Sequence, residues 1–191
     1  MSLLNDPPFG LGQTLGVSST SDGTGWVGAV KQFPDVNPST GAVRSNRLKT
    51  CVAVRNTSGG ALLPKRVVRF EIGTAGTAPF SAVDGYSAVA NEERVGIVDE
   101  HLPASGVAAN DIFWVTVQGP TEVSHALSGT AIAVGDRLAA ITAATSGATT
   151  SGRVTPNSAA AVTDVRGAIG VACSAGTTTG AGILAVVNCG V

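Results

Sequence analysis

Histidine is the first place to look for chemistry at neutral pH, and the chain has two. His101 follows Asp99-Glu100, a grouping that could begin a metal site, yet no third ligand stands at a recognisable interval. It reads as part of a polar loop. His125 has Ser124 beside it and Asp136 further on, the residue types of a hydrolytic triad, but no Gly-x-Ser-x-Gly elbow accompanies them. Glu92-Glu93 and Asp99-Glu100 read as solvated turns rather than as an acid/base pair. Cys51, Cys173 and Cys189 lack metal-ligand spacing, and their odd number excludes a complete disulfide framework. They read as small buried hydrophobes in a reducing cytoplasm. The glycine-rich stretches match neither a dinucleotide fingerprint nor a phosphate-binding loop. Asn56-Thr57-Ser58 is a formal glycosylation sequon that carries meaning only in a secreted chain. No catalytic, cofactor-binding or metal site is expected, and the chain reads as a non-enzyme.

The elements that would position any site are short β signals separated by turns. Thr50, Val52 and Val54 alternate with Cys51, Ala53 and Arg55; Val68, Phe70 and Ile72 alternate with Val67, Arg69 and Glu71. Strands are expected at 95–98, 112–117, 137–141, 168–172 and 183–187. Turn pairs such as Ser58-Gly59, Gly119-Pro120, Ser128-Gly129 and Gly135-Asp136 punctuate them. No segment supports a long amphipathic helix; at most 108–111 or 158–163 could form a single turn.

Composition narrows the class. The chain has 191 residues, only 13% of them charged, against about 25% in ordinary soluble proteins. Glycine, at 25 residues, is nearly twice its usual share of about 7%. Mean hydropathy is +0.29 although aromatics are only 4%, so the apolar content is largely Ala, Val and Ile. No apolar run approaches the ~18 residues of a membrane helix, and residues 1–8 lack the features of a signal peptide. A soluble, non-secreted product without membrane contact is expected. So little charge implies either a β domain coated in Ser, Thr and Gly or an exterior covered by partners.

Residues 36–70 carry seven bases and no acid, whereas residues 71–191 have a net charge of −6. Such a segment can be a solvated strand pair, or a docking surface for an acidic protein lattice. The complementary signs also suit head-to-tail contact between identical subunits. Nucleic acid is not expected, because Phe70 is the segment's one aromatic and the whole-chain pI is about 6.1. Residues 1–48 are rich in Pro, Gly, Ser and Thr and show no sustained period. They read as an extended arm with large anchors, which either orders on a partner or folds back on its own domain. Phe9, Trp26, Phe33, Arg44, Arg47 and Lys49 are the candidate contact residues, as aromatic anchors and charge complements.

The remainder is duplicated. Leu63–Phe70 has a counterpart in Val134–Ile141, Arg94–Val98 in Ala168–Ala172, and Ile112–Gly119 in Ile183–Gly190, at offsets of 71, 74 and 71 residues. The absent side chain of Gly96 or Gly170 would permit a bulge or close packing. The expected fold is therefore all-β: two related small barrel-like or sandwich units, at 49–120 and 121–191, preceded by the arm at 1–48.

Gly135-Asp136-Arg137-Leu138, Gly152-Arg153-Val154-Thr155-Pro156, Ala168-Ile169-Gly170-Val171-Ala172 and Gly182-Ile183-Leu184-Ala185-Val186-Val187 resemble phage capsid decoration proteins, small β-rich cement subunits of assembled heads. The likeness covers residues 125–191 well and 50–120 more loosely, through short motifs of common residues. The duplication and the 48-residue leader depart from the usual single-unit pattern and also suit a head fibre or another virion component. The resemblance implies a structural protein made in the host cytoplasm that decorates and stabilises the capsid outer surface. It implies the major capsid protein as partner, and homo-oligomers, trimers favoured. The alternative is a carbohydrate- or receptor-binding β module of a head fibre or tail appendage.

Overall fold

The computed structural model describes residues 7–16, 25–71, 80–87, 94–126, 131–141, 151–157, 168–177 and 181–189. The fold is all-β, with no helix among these residues. Ten strands follow in chain order: β1 (Val30–Val36), β2 (Val43–Asn56), β3 (Val67–Phe70), β4 (Ala82–Tyr86), β5 (Val95–Val98), β6 (Ile112–Ser124), β7 (Arg137–Ala140), β8 (Val154–Pro156), β9 (Ala168–Ala172) and β10 (Gly182–Asn188). Their order in the sheet is β1-β2-β4-β3-β5-β6-β10-β9-β7-β8, and a further β2–β6 pairing closes part of it into a ring.

That ring is a five-stranded barrel, β2-β4-β3-β5-β6. Its interior is Val52, Val54, Val68, Phe70, Val83, Val98, Phe113, Val115 and Val117. The second unit repeats the arrangement with β7, β8, β9 and β10, and the outer half of β6 takes the place of β2. In both, the first strand after the turn lies between the second and third, and the third pairs with the fourth. Asn56 pairs in parallel with Val83 in the first unit, and His125 bridges in parallel to Val154 in the second. The bridges Leu62↔Val107 and Ile132↔Gly176 also correspond. One long strand thus closes one barrel and opens the next. The expected division at 120/121 falls inside β6.

The duplication inferred from the sequence therefore has a structural counterpart, with a shifted register. Val68 faces Gly96 and Leu138 faces Gly170; Val98 faces Val115 and Ala172 faces Ala185. The first and last blocks correspond at offset 70 rather than 71, while the middle block keeps 74. A one-residue slip inverts which side chains enter the core. At offset 70, Phe113, Val115 and Val117 match Ile183, Ala185 and Val187, which are all buried. The shared glycines permit close packing. A Cβ on Gly96 would lie 2.2 Å from the Val115 side chain, and one on Gly170 would lie 2.5 Å from the Val186 carbonyl oxygen.

Several strands had weak sequence signals. β1, the first half of β2, β4, β8 and the second half of β6 lack clean apolar alternation and exist through pairing. Of the two segments expected to form at most a single turn, 108–111 does so, the Asp111 N–H donating to the Ala108 carbonyl oxygen at 3.2 Å, with Asn110 at a φ of +71° that is not helical; 158–163 lies outside the described residues, as does Ile72. Val30 to Leu48, read as part of the arm, forms a hairpin in which β1 pairs with β2 of its own chain. Folding back accounts for this part of the arm. A third core lies beneath it, where Phe9, Leu11 and Phe33 cover Cys51, Ala53, Ile112 and Trp114 on the outside of the first barrel. Trp114 is completely buried; Phe9 tilts against it at 5.2 Å, Phe33 meets it edge-on at 5.1 Å, and its indole N–H donates to the Phe9 carbonyl oxygen at 3.1 Å. Cys51 and Cys189 are buried, which pushes both thiols up to about 12. Cys173 departs from the expectation and is exposed.

Candidate interaction surface

The six candidate contact residues separate into different environments. Phe9 is part of the core above Trp114, and Lys49 is fully buried. Both side chains pack inside the chain, where the sequence led us to expect contacts with a partner. Phe33 is partly covered and engaged with Trp114, with the Lys31 ammonium 5.6 Å from its ring centre. Trp26 is half-buried in the turn leading to β1, where its carbonyl oxygen accepts the Ala29 N–H. Arg44 is partly exposed and ion-paired. Arg47 is exposed, with no carboxylate partner among the described residues.

Lys49 and Arg44 converge on a carboxylate that the sequence reading left in solvent. Lys49 Nζ donates to Glu100 Oε1 at 2.8 Å, and Arg44 Nη1 donates to Glu100 Oε2 at 2.7 Å. Arg44 Nη2 also reaches Asp35 at 2.6 Å, and the Glu122 N–H donates to Glu100 at 3.0 Å. Asp99 accepts the backbone N–H groups of Gly12 and His101. Asp99 and Glu100 are therefore buried, which corrects their reading as a solvated turn. Burial alone would raise the Glu100 carboxyl, but Arg44 and Lys49 overcome it and hold the group at about 2. Burial raises Asp99, against its two backbone donors. This cluster clamps the β1–β2 hairpin to β6 and the loop after β5. Glu92-Glu93 lie outside the described residues.

The charge asymmetry of the sequence is folded inward. Arg44 and Lys49 meet Glu100, Lys65 meets Glu122 at 2.6 Å, and Arg69 meets Asp84 at 2.6 Å. Four of the seven bases in the positive segment are thus paired within the chain. The complementary signs, which also suit contact between identical subunits, here meet in part within one chain.

Among the described residues, one face running across strands is nearly uncharged, its side chains exposed or half-buried apart from buried Pro120. Residues opposite one another in an antiparallel pair lie on the same face. Gln32 faces Thr50, Thr50 faces Gln118, and Gln118 faces Asn188, making one polar row over four strands. Two residues along, Pro34 faces Leu48, Pro120 faces Val186, Val186 faces Val171, and Val171 faces Arg137. Leu48 and Pro120 adjoin across the floor of a groove of about 600 Å³ that also contains Arg47, Gln118, Val186 and Asn188. Leu48 is 56% exposed and Val171 42%, substantial for side chains of this type. Gly119 permits the junction: its φ of +104° favours glycine, and a Cβ there would lie 2.5 Å from the Leu48 carbonyl oxygen.

Of the six candidate contact residues, Arg47 alone lines this groove, and the other residues of the face had no place among them. Its rows are assembled from six strands, so adjacent members lie far apart along the chain. Their one local signal is polar or proline residues at alternate positions of β1 and β6.

His125 is fully buried, and neither ring nitrogen has a hydrogen-bond partner among the described residues. Ser124 is its chain neighbour, while Asp136 Oδ2 accepts the Ala133 N–H in a separate turn. The structure does not bring the three together as a triad.

No protein-family model matches the chain, and no curated protein sequence matches it. Among solved structures, the chain is similar to the head fiber gp8.5 N base of bacteriophage phi29. The two are 16% identical with a TM-score of 0.42, over 73% of this chain and 94% of that one. At that identity and TM-score the likeness carries no argument about this chain.

Proposed function

We propose that the protein is a non-enzymatic structural component of a phage virion that attaches passively to the capsid's outer surface. The observation that carries this reading is the two-row face. It presents amide, hydroxyl, proline and aliphatic side chains across six strands, a width of about 24 Å at ~4.8 Å per strand. A broad, grooved surface depleted in charge suits protein docking, since charge is depleted at the centre of protein interfaces. The sequence resemblance of residues 125–191 to decoration proteins supports the same assignment. Stabilisation follows from binding: a subunit that holds only the assembled shell shifts the equilibrium away from its disassembly.

The test uses purified heads of the phage that encodes the chain, stripped of this protein. Re-added protein is expected to co-sediment saturably and to raise the temperature at which the heads release DNA. Heads that bind none of it overturn the proposal. A receptor- or carbohydrate-binding module is the second reading, favoured by the Gln32–Thr50–Gln118–Asn188 row, whose amides and hydroxyl could pair with sugar hydroxyls. A glycan array with specific hits, together with no binding to heads, would select it.

A further inference from the structure

Two arginines flank the apolar row. Arg137 closes it on β7, and Arg47, the chain neighbour of Leu48 on β2, lines the groove at the other side while the row itself runs on to Pro34 of β1. Both are exposed, and neither has a carboxylate within ion-pair distance among the described residues. They contrast with Arg44, Lys49, Lys65 and Arg69, which the fold pairs internally. From β2 to β7 the row crosses four inter-strand gaps, about 19 Å at ~4.8 Å each. Between the β2 and β7 positions of the row lie Pro120, Val186 and Val171, which carry no charge.

Resting on the reading that this face docks the protein, we propose that its occupant is an extended protein segment with two carboxylates separated by apolar residues. At ~3.3 Å per residue, 19 Å places those carboxylates about six residues apart. One meets Arg47 and the other Arg137, since a planar guanidinium can hold a carboxylate in a bidentate pair. The intervening side chains lie on Val186, Val171 and Leu48. A second copy of this chain fits poorly, because a two-fold contact through the same face would bring Arg47 against the partner's arginine at the opposite end.

The experiment measures head binding of the full-length protein and of Arg47→Glu, Arg137→Glu and the double variant, at low and at raised salt. Both residues are exposed, and circular dichroism confirms that the variants remain folded. Each single variant is expected to weaken binding about tenfold at low salt, the double variant more, with the differences shrinking as salt rises. Wild-type protein that binds heads while the double variant binds equally overturns the acidic-segment proposal and leaves capsid attachment standing. Wild-type protein that binds no heads overturns attachment, and this proposal with it. Light scattering supplies the remaining outcome: self-association lost in the double variant would make a second copy the occupant and overturn the proposal.

Discussion

The two barrels have one topology and different means of staying closed. The first encloses Phe70 and Phe113 and is covered outside by Phe9, Leu11 and Phe33, which bury Trp114 completely. At the position equivalent to Trp114 the second has Leu184, half-buried, and its interior relies on smaller residues such as Ala140, Ala172 and Ala185. Where the first has Glu100 clamped by Lys49 and Arg44, the second has Ser174, whose hydroxyl accepts the Leu184 N–H at 2.9 Å. The first barrel has recruited part of the N-terminal segment as a cover. On the second barrel no such cover is present among the described residues, and the corresponding outer face contributes half-buried Val186 and exposed Val171 to the interaction surface.

This contrast can be tested by paired substitutions. Trp114→Ala removes the largest buried side chain of the covered face and is expected to cost about 3–5 kcal/mol, whereas Leu184→Ala at the equivalent site costs about 1 kcal/mol. Urea unfolding of both variants measures the difference; equal losses would mean that the cover contributes nothing. Glu100→Ala leaves Lys49 as an uncompensated buried charge and is expected to cost about 3–5 kcal/mol. Ser174→Ala should cost about 0.5–1.5 kcal/mol, the range for one ordinary hydrogen bond. Thermal unfolding of the pair reads the gap.

The barrels also differ at the turn that starts each unit. The Asn56 side-chain amide donates to the carbonyl oxygens of Gly60, Val107 and Ala108 at 2.8–3.0 Å, while its counterpart His125 has no partner among the described residues. Asn56→Ala is expected to cost about 1–3 kcal/mol, and His125→Leu to raise stability by up to about 1 kcal/mol. A destabilised His125→Leu variant would show that the imidazole has bonds worth keeping. The clamp also predicts a pH dependence. Glu100 is depressed from its ordinary 4.5 to about 2, so its stabilising contribution is complete above about pH 4.5 and is lost as pH falls toward 2. Asp99 is raised and acts in the opposite sense, favouring the fold as it takes up a proton. Urea midpoints between pH 6 and pH 3, taken for wild type and Glu100→Gln, should converge toward the acid end.

Periodicity and turn residues were enough to read an all-β chain and its duplication. Val67–Phe70, Val95–Val98 and Ile112–Val117 carry their alternation or continuous apolar character locally, and their counterparts repeat it. The register error of one residue arose because Ala, Val and Ile are nearly interchangeable in such an alignment. Only strand pairing distinguishes neighbouring offsets. β4 and β8 were illegible for a related reason: Ala82-Val83-Asp84-Gly85-Tyr86 and Val154-Thr155-Pro156 are strands because β3 and β7 offer them an edge.

Side-chain roles divided along the same line. Low charge, high glycine and the absence of local catalytic motifs are properties of composition and short windows, and they can be read before folding. Burial and pairing are not local. Glu100 lies 51 residues from Lys49, and an isolated Asp-Glu-His looks solvated until a hairpin closes over it. The chain-wide split of positive and negative segments likewise gave no guide to surface charge, because folding brought the two signs together. Long-range strand pairing selected which residues became core, which became clamp, and which were left to face a partner.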